Sequence, residues 1–376
     1  MNVLGIILAA AAVTNLMTGA QLVDGWQVGT RTGSTPDDFE WVDGTTIAFE
    51  GAAFEATAEK YTRLPEKWHG VVTPSVWNLS RTAIGFNFRF RTDSPELAFR
   101  WKVRSVTPIP TMPLSAHAGL DVYSRGPGGE WWHEKSLSPD PKTGEGYTVI
   151  PWKRGREGVV YLPVRARPDS FAIGFRRGSK REEPAPHRVS RPIVHYGTSI
   201  VNGGSVSRAG LLFTSIYGRL LDAQVVDLGF SGAGRMELCM ADLLAEIDAS
   251  VYVLDCEPNM YPEMLEERYR PFLERLVALR PDVPVLMCGK GTELAVPTAD
   301  ERVSRALYER LRQEDPVKWS RLHYLSGVGM LPADGEATHE HVHPNDYGFM
   351  RMGRVYADAL ASVLKPLGMG SGATRE

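Results

Sequence analysis

From residue 193 to the C-terminus, short apolar runs at 193–196, 225–228, 251–254, 283–287 and 323–325 are separated by stretches of helical periodicity, and that alternation admits few folds. Strands alternating with helices pack as parallel strands joined by crossovers, so the second half is expected to form a doubly wound parallel sheet of flavodoxin-like type. The clearest helix covers residues 262–280, with Leu265, Tyr269, Phe272, Leu273, Leu276 and Leu279 on one stripe. In such α/β sheets ligands bind outside the carboxyl ends of the strands, so the residues following each apolar run are where chemistry is to be sought.

Residues 24–175 follow a period of two instead. Phe86, Phe88 and Phe90 alternate with Asn87, Arg89 and Arg91, and Leu97, Phe99, Trp101 and Val103 alternate with Ala98, Arg100, Lys102 and Arg104. Turn clusters such as Thr92-Asp93-Ser94-Pro95 separate these runs, which predicts a jelly-roll-like β-sandwich whose sheets each bury one face. Most tryptophans fall here; adjacent strand residues point to opposite faces, so one of Trp131 and Trp132 should be outside. The charged, proline-bearing stretch 176–191 reads as the connection between two domains, 24–175 and 192–366, with a flexible tail at 367–376.

A formal net charge of −3 argues against a nucleic-acid partner or a polybasic membrane anchor. Cys239, Cys256 and Cys288 sit in apolar segments without disulfide or zinc spacing and read as buried free thiols. The apolar run at 3–13, followed by Thr18-Gly19-Ala20, reads as a signal peptide over residues 1–20, which would make the protein secreted or periplasmic. It is too short to span a bilayer, which takes about 20 apolar residues.

The residues after successive strands carry the chemical signals. Ser199 follows the first run in Gly197-Thr198-Ser199-Ile200; Gly229-Phe230-Ser231-Gly232-Ala233-Gly234 follows the second and offers backbone N–H groups at the entry to a helix expected near Arg235. Asn259 follows the third, where its amide could donate to a developing oxyanion or simply cap the helix at Pro262. Near the end, His343 precedes Pro344 and could act as general base toward Ser199, with Glu340 holding the imidazole tautomer. The alternating His339, His341 and His343 also have the look of a metal face, but no further ligand stands at a recognisable spacing, so no metal and no cofactor is expected.

These blocks resemble the SGNH (GDSL-like) hydrolase family over residues 193–365. The resemblance maps that family's signature residues onto Ser199, Gly232, Asn259 and His343. Gly119-Leu120-Asp121-Val122-Tyr123 resembles the Gly-x-Asp-Leu-Tyr motif of a small β-sandwich that precedes a subset of these hydrolases. The resemblance implies an α/β hydrolase domain behind a sandwich, and an ester hydrolase, often a deacetylase acting on carbohydrate. Thr198 and Glu340 each stand where the family has Asp, and the third block keeps only its Asn. Glu340 could still orient His343, the site could run as a Ser-His dyad, or Glu336 or Asp334 could substitute.

The expectation is therefore a serine ester hydrolase: Ser199, His343 and Glu340 catalytic, and an oxyanion hole of Ser199, Gly232 and Asn259. Its partner would be an acylated carbohydrate losing acetyl or another short acyl group. The rivals are a non-catalytic carbohydrate-binding protein and a lipase or thioesterase of the same family. G-x-S-x-G is absent, which argues against the ordinary α/β-hydrolase arrangement.

Overall fold

The computed structural model describes residues 33–54, 57, 59–152 and 157–365. The expected signal peptide and the expected tail lie outside these residues. In the first half the strands are β1 (Phe39–Asp43), β2 (Asn87–Thr92), β3 (Glu96–Val103), β4 (Leu120–Arg125), β5 (Trp131–Leu137), β6 (Glu145–Pro151), β7 (Glu157–Tyr161), β8 (Pro168–Arg176) and β9 (Arg181–Glu182). They form two antiparallel sheets, ordered β1-β8-β3-β6 and β5-β4-β7-β2-β9. On β3 Leu97, Phe99, Trp101 and Val103 are buried in the core between the sheets, while Arg100 and Lys102 face out as read; Ala98, read with the outward set, is instead buried against Phe39 and Val149. Burying each large apolar side chain is worth about 1.5–3 kcal/mol.

The second sheet departs from the expected pattern because its central strands are covered on both faces, whereas the edge strands β5 and β9 stay largely exposed. All of β7 and all but the last residue of β4 are buried, as are Asn87 and Arg89 on β2, which the alternation assigned to solvent. Its outer face lies against the second half of the chain. Tyr123, Val159, Tyr161 and Val164 share one apolar cluster with Ile193, Ile200, Leu212 and Phe213. Arg89 answers its burial by donating to Glu157 at 2.7 Å and to the Ala185 carbonyl at 2.9 Å. Trp132 is exposed and Trp131 half-buried, as strand alternation requires.

The second half contains β10 (Val189–Gly197), β11 (Ala223–Gly229), β12 (Val251–Asp255), β13 (Val285–Cys288) and β14 (Leu322–Leu325), all parallel and ordered β11-β10-β12-β13-β14. This is the flavodoxin-like order, whose reversal point falls between β10 and its neighbours. The helices are α1 (Phe213–Leu221), α2 (Leu238–Ala245), α3 (Pro262–Leu279), α4 (Ala299–Glu314) and α5 (Asp346–Leu364). One face of the sheet packs Val194, Tyr196, Val226, Tyr252 and Leu254 with α2, α3 and α4; the other packs Ile193, Val225, Val251 and Val253 with α1 and α5. Both faces being covered explains why these strands read as unbroken apolar runs. On α3 the stripe is buried through Leu276, but Leu279 is exposed.

Two segments sit differently from their sequence assignments. Leu64, Trp68, Val72 and Val76, within the stretch read as sandwich, belong to the core under α2 and α3. The stretch 176–191 read as a connection includes β9, which pairs with β2 (Arg91↔Glu182), and the start of β10. Its charges find partners on both sides: His187 meets Asp222 at 3.0 Å and Glu50 at 3.0 Å.

Candidate active site

Gly197 pairs in register with Gly229 on one side and Asp255 on the other, so the loops after β10, β11 and β12 leave the sheet together. Those loops carry Ser199, Gly232 and Asn259. They touch closely: Phe230 N–H donates to the Gly197 carbonyl at 3.0 Å, and a Cβ on Gly234 would lie 2.1 Å from that same oxygen. Only glycine allows that approach.

Ser199 Oγ lies 2.8 Å from His343 Nε2. On its other side the imidazole Nδ1 is hydrogen-bonded to Glu340 Oε1, and the His343 backbone N–H donates to the same oxygen at 3.1 Å. A carboxylate can only accept, so Nδ1 carries the proton and Nε2 is left to accept from Ser199. Burial pushes the Glu340 carboxyl up, but the two hydrogen bonds from His343 outweigh it and hold Glu340 below its ordinary range. The loop is closed by His339 N–H to the His343 carbonyl at 2.8 Å and Asn345 N–H to the Ala337 carbonyl at 3.0 Å; Asn345 then caps α5 through Gly348 N–H. Asp334 accepts from the Glu336 N–H, and among the described residues neither of these two carboxylates hydrogen-bonds to His343, which is held by Glu340. His341 turns to Glu293 at 3.5 Å, and among the described residues no cluster of three His, Cys, Asp or Glu side chains could hold a metal.

Asn259 ends a tight turn (Glu257–Asn259) directly after β12, and its Nδ2 is buried with no hydrogen-bond partner. It does not cap α3, whose N-cap is Tyr261. Gly232 sits in a turn at φ +67°, a conformation suited to glycine. The helix expected near Arg235 starts only at Leu238, so any donors here belong to the turn and not to a helix end. The backbone N–H groups of Ser199 and Gly232 donate to no described residue. Three unpaired donors on adjoining loops, beside a hydroxyl bonded to an imidazole, can accommodate a nucleophilic attack that creates an oxyanion.

Several supporting residues escaped sequence reasoning. Gly204 packs against His343: its N–H donates to the Ser199 carbonyl at 2.9 Å, and a Cβ there would come within 3.1 Å of the imidazole Cδ2. Beneath the loops, Asp255 accepts from Tyr356 at 2.7 Å and contacts His195, which in turn meets Tyr217 at 3.0 Å. Glu257 anchors the turn of Asn259, accepting from Lys290 N–H at 2.8 Å and from Ser304; burial pushes its carboxyl up to about 8. Asp121, fully buried on β4, crosses to the second half by accepting from Gly210 N–H at 2.8 Å and Arg208 at 3.0 Å. Nothing in their local spacing marks these residues, except that Asp121 lies in the Gly-x-Asp-x-Tyr run.

Residues 190–365 match the GDSL-like lipase/acylhydrolase family, and residues 39–180 match the N-terminal domain of SGNH-hydrolase-type esterases. No curated protein matches the sequence. Among solved structures, the chain is similar to a Bacteroides ovatus protein described as a GDSL-like lipase, with 27% identity, 87% of this chain and 98% of that one covered, and a TM-score of 0.76. It shares its fold with a salicylyl-acyltransferase from a tetracycline biosynthetic pathway (18% identity, 89% and 99% covered, TM-score 0.68). A family two carbohydrate esterase from Cellvibrio japonicus has the same fold (12% identity, 88% and 99% covered, TM-score 0.55).

Proposed function

Because this chain belongs to the GDSL-like lipase/acylhydrolase family and is a carboxylic ester hydrolase, we propose that it removes acetyl or other short acyl groups from carbohydrate through an acyl-enzyme on Ser199. The observation that carries this reading is the unbroken chain from Ser199 through His343 to Glu340. His343 takes the Ser199 proton as Oγ attacks the ester carbonyl, and Glu340 steadies the imidazolium that forms. The N–H groups of Ser199 and Gly232 and the Asn259 amide receive the oxyanion. Collapse expels the alcohol, which takes the proton from His343; water then repeats the sequence and releases the acid.

Carbohydrate as the alcohol is supported by the fold shared with the Cellvibrio esterase. Export, if residues 1–20 act as the signal peptide the sequence suggests, would place the enzyme where polysaccharide is met. A non-catalytic scaffold has no use for a buried, unpaired Asn259 donor, which costs stability and returns nothing unless a ligand oxygen arrives. Acetate release from acetylated xylan and from an aryl acetate, compared between wild type and Ser199→Ala at matched folding, tests the proposal. Activity surviving in Ser199→Ala would sink it, and aryl-ester turnover with no release from any acetylated glycan would leave the serine chemistry and remove the substrate.

A further inference from the structure

We propose that Arg165, contributed by the sandwich from the loop after β7, is a positioning residue for the oxyanion hole, which makes the sandwich a working part of the active site. The inference rests on the roles given above to Ser199 and Gly232. Its guanidinium Nη1 donates to Asn202 Oδ1 and, at 3.0 Å, to Ser231 Oγ; Ser231 in turn donates to Asn202 Oδ1 at 3.2 Å. Asn202 is buried, and its N–H donates to the Thr198 carbonyl at 2.9 Å, so it belongs to the tight turn that presents Ser199. Ser231 immediately precedes Gly232. One guanidinium therefore ties the turn of Ser199 to the turn of Gly232, and the spacing of the two backbone donors depends on that tie.

The arrangement is costly to the fold. Arg165 is largely buried with its Nε unpaired, and burial pulls its pKa down to about 10, opposed by the Asp227 charge; it stays a cation at neutral pH. A second buried cation from the first half, Arg63, donates to the carbonyls of Gly229 at 2.9 Å and Asp227 at 3.2 Å, bracing the start of the same turn. Ser115, also from the first half, donates to the Ser207 carbonyl at 3.0 Å, and Ser207 N–H donates to Asp346 at 2.8 Å, just beyond His343.

The test compares full-length wild type, Arg165→Ala, Arg165→Lys, Ser231→Ala and the Arg165→Ala/Ser231→Ala double variant on an aryl acetate. Misplacing donors by about an ångström can cost up to about 10²-fold, so Arg165→Ala should lower kcat by about 10- to 10²-fold with KM within about twofold. Lysine, a point charge without the planar fork, should restore little. Ser231→Ala, which leaves the buried charge in place, should lose less, and the double variant should be no slower than Arg165→Ala because both cut one link. Guanidinium ion added to Arg165→Ala should recover part of kcat. Wild-type kcat in Arg165→Ala, a loss carried by KM, or a loss that tracks a fall in Tm and resists guanidinium would overturn the proposal. The phosphonylation rate of Ser199 by a fluorophosphonate, whose oxygen the same donors would hold, gives the same comparison should the acyl group be wrongly chosen. Equal rates in wild type and Arg165→Ala would refute the positioning role, whereas a wild-type chain inert to the probe would refute the Ser199 assignment beneath it.

Discussion

Under the proposed mechanism, Asn259→Ala deletes a donor whose value lies in the transition state. In the resting chain its Nδ2 is buried and unpaired, and a buried polar group left unsatisfied costs about 1–3 kcal/mol. Deletion lifts that penalty and forfeits the carboxamide's van der Waals contacts, each worth only about 0.1–0.2 kcal/mol. The two effects oppose each other, so folding stability should change by less than about 1 kcal/mol, or shift Tm by about 2–4 °C at most. Loss of one oxyanion donor costs about 2.7–4 kcal/mol of transition-state stabilisation, so kcat should fall about 10²- to 10³-fold while KM barely moves. Steady-state kinetics on an aryl acetate and thermal unfolding of the same preparation check both halves. A kcat near wild type, or a fall in kcat matched by a comparable loss of folding free energy, would refute the reasoning.

Glu340 is 45% exposed at its side chain, so its attraction to the His343 cation lies between about 1 kcal/mol, the water limit, and about 4 kcal/mol, the surface value. Glu340→Gln should accordingly lower kcat by about 5- to 10³-fold and leave measurable turnover; an unaltered kcat would remove Glu340 from the mechanism. Because the Glu340 pKa is lowered on folding, its contribution is present above the ordinary glutamate range and lost as pH falls through the folded pKa, so acid unfolding of the variant should lack this step. Glu257 has the opposite sign. Its pKa rises to about 8, so the folded chain holds a proton that the unfolded chain releases above about 4.5, and stability falls as pH rises between those values. Glu257→Gln, neutral throughout, should flatten that slope by up to a few kcal/mol in pH-dependent chemical denaturation. Gly210→Ala would place a Cβ 2.2 Å from Tyr123 Cε2 and 2.6 Å from Asp121 Oδ2, so it should destabilise the contact between the two halves by about 1–3 kcal/mol, read as a lowered Tm.

The parts of this molecule that rest on local periodicity were legible in the chain. Apolar runs punctuated by helical stripes specified a parallel sheet with both faces covered, because a strand buried on both sides cannot alternate. That Ser199 and His343 meet was legible for a related reason: strand ends in such a sheet open onto one crevice, so residues distant in sequence gather there. The choice among Glu340, Glu336 and Asp334 was not legible, since which carboxyl reaches His343 depends on how the 337–345 loop folds back on itself.

Least visible was the union of the two halves. Read by period, Asn87 and Arg89 are a solvated face and Trp68 is a sandwich tryptophan; in the structure each is committed to the other half or to the boundary with it. The chain's own pattern determined the strands and the helices, because these follow from backbone geometry and the periodicity of burial. Tertiary structure alone decided which polar groups are buried, paired or left unpaired, because partners such as Arg165 and Ser231 are brought together by the packing of one half on the other and carry no mark of it in their sequence neighbours.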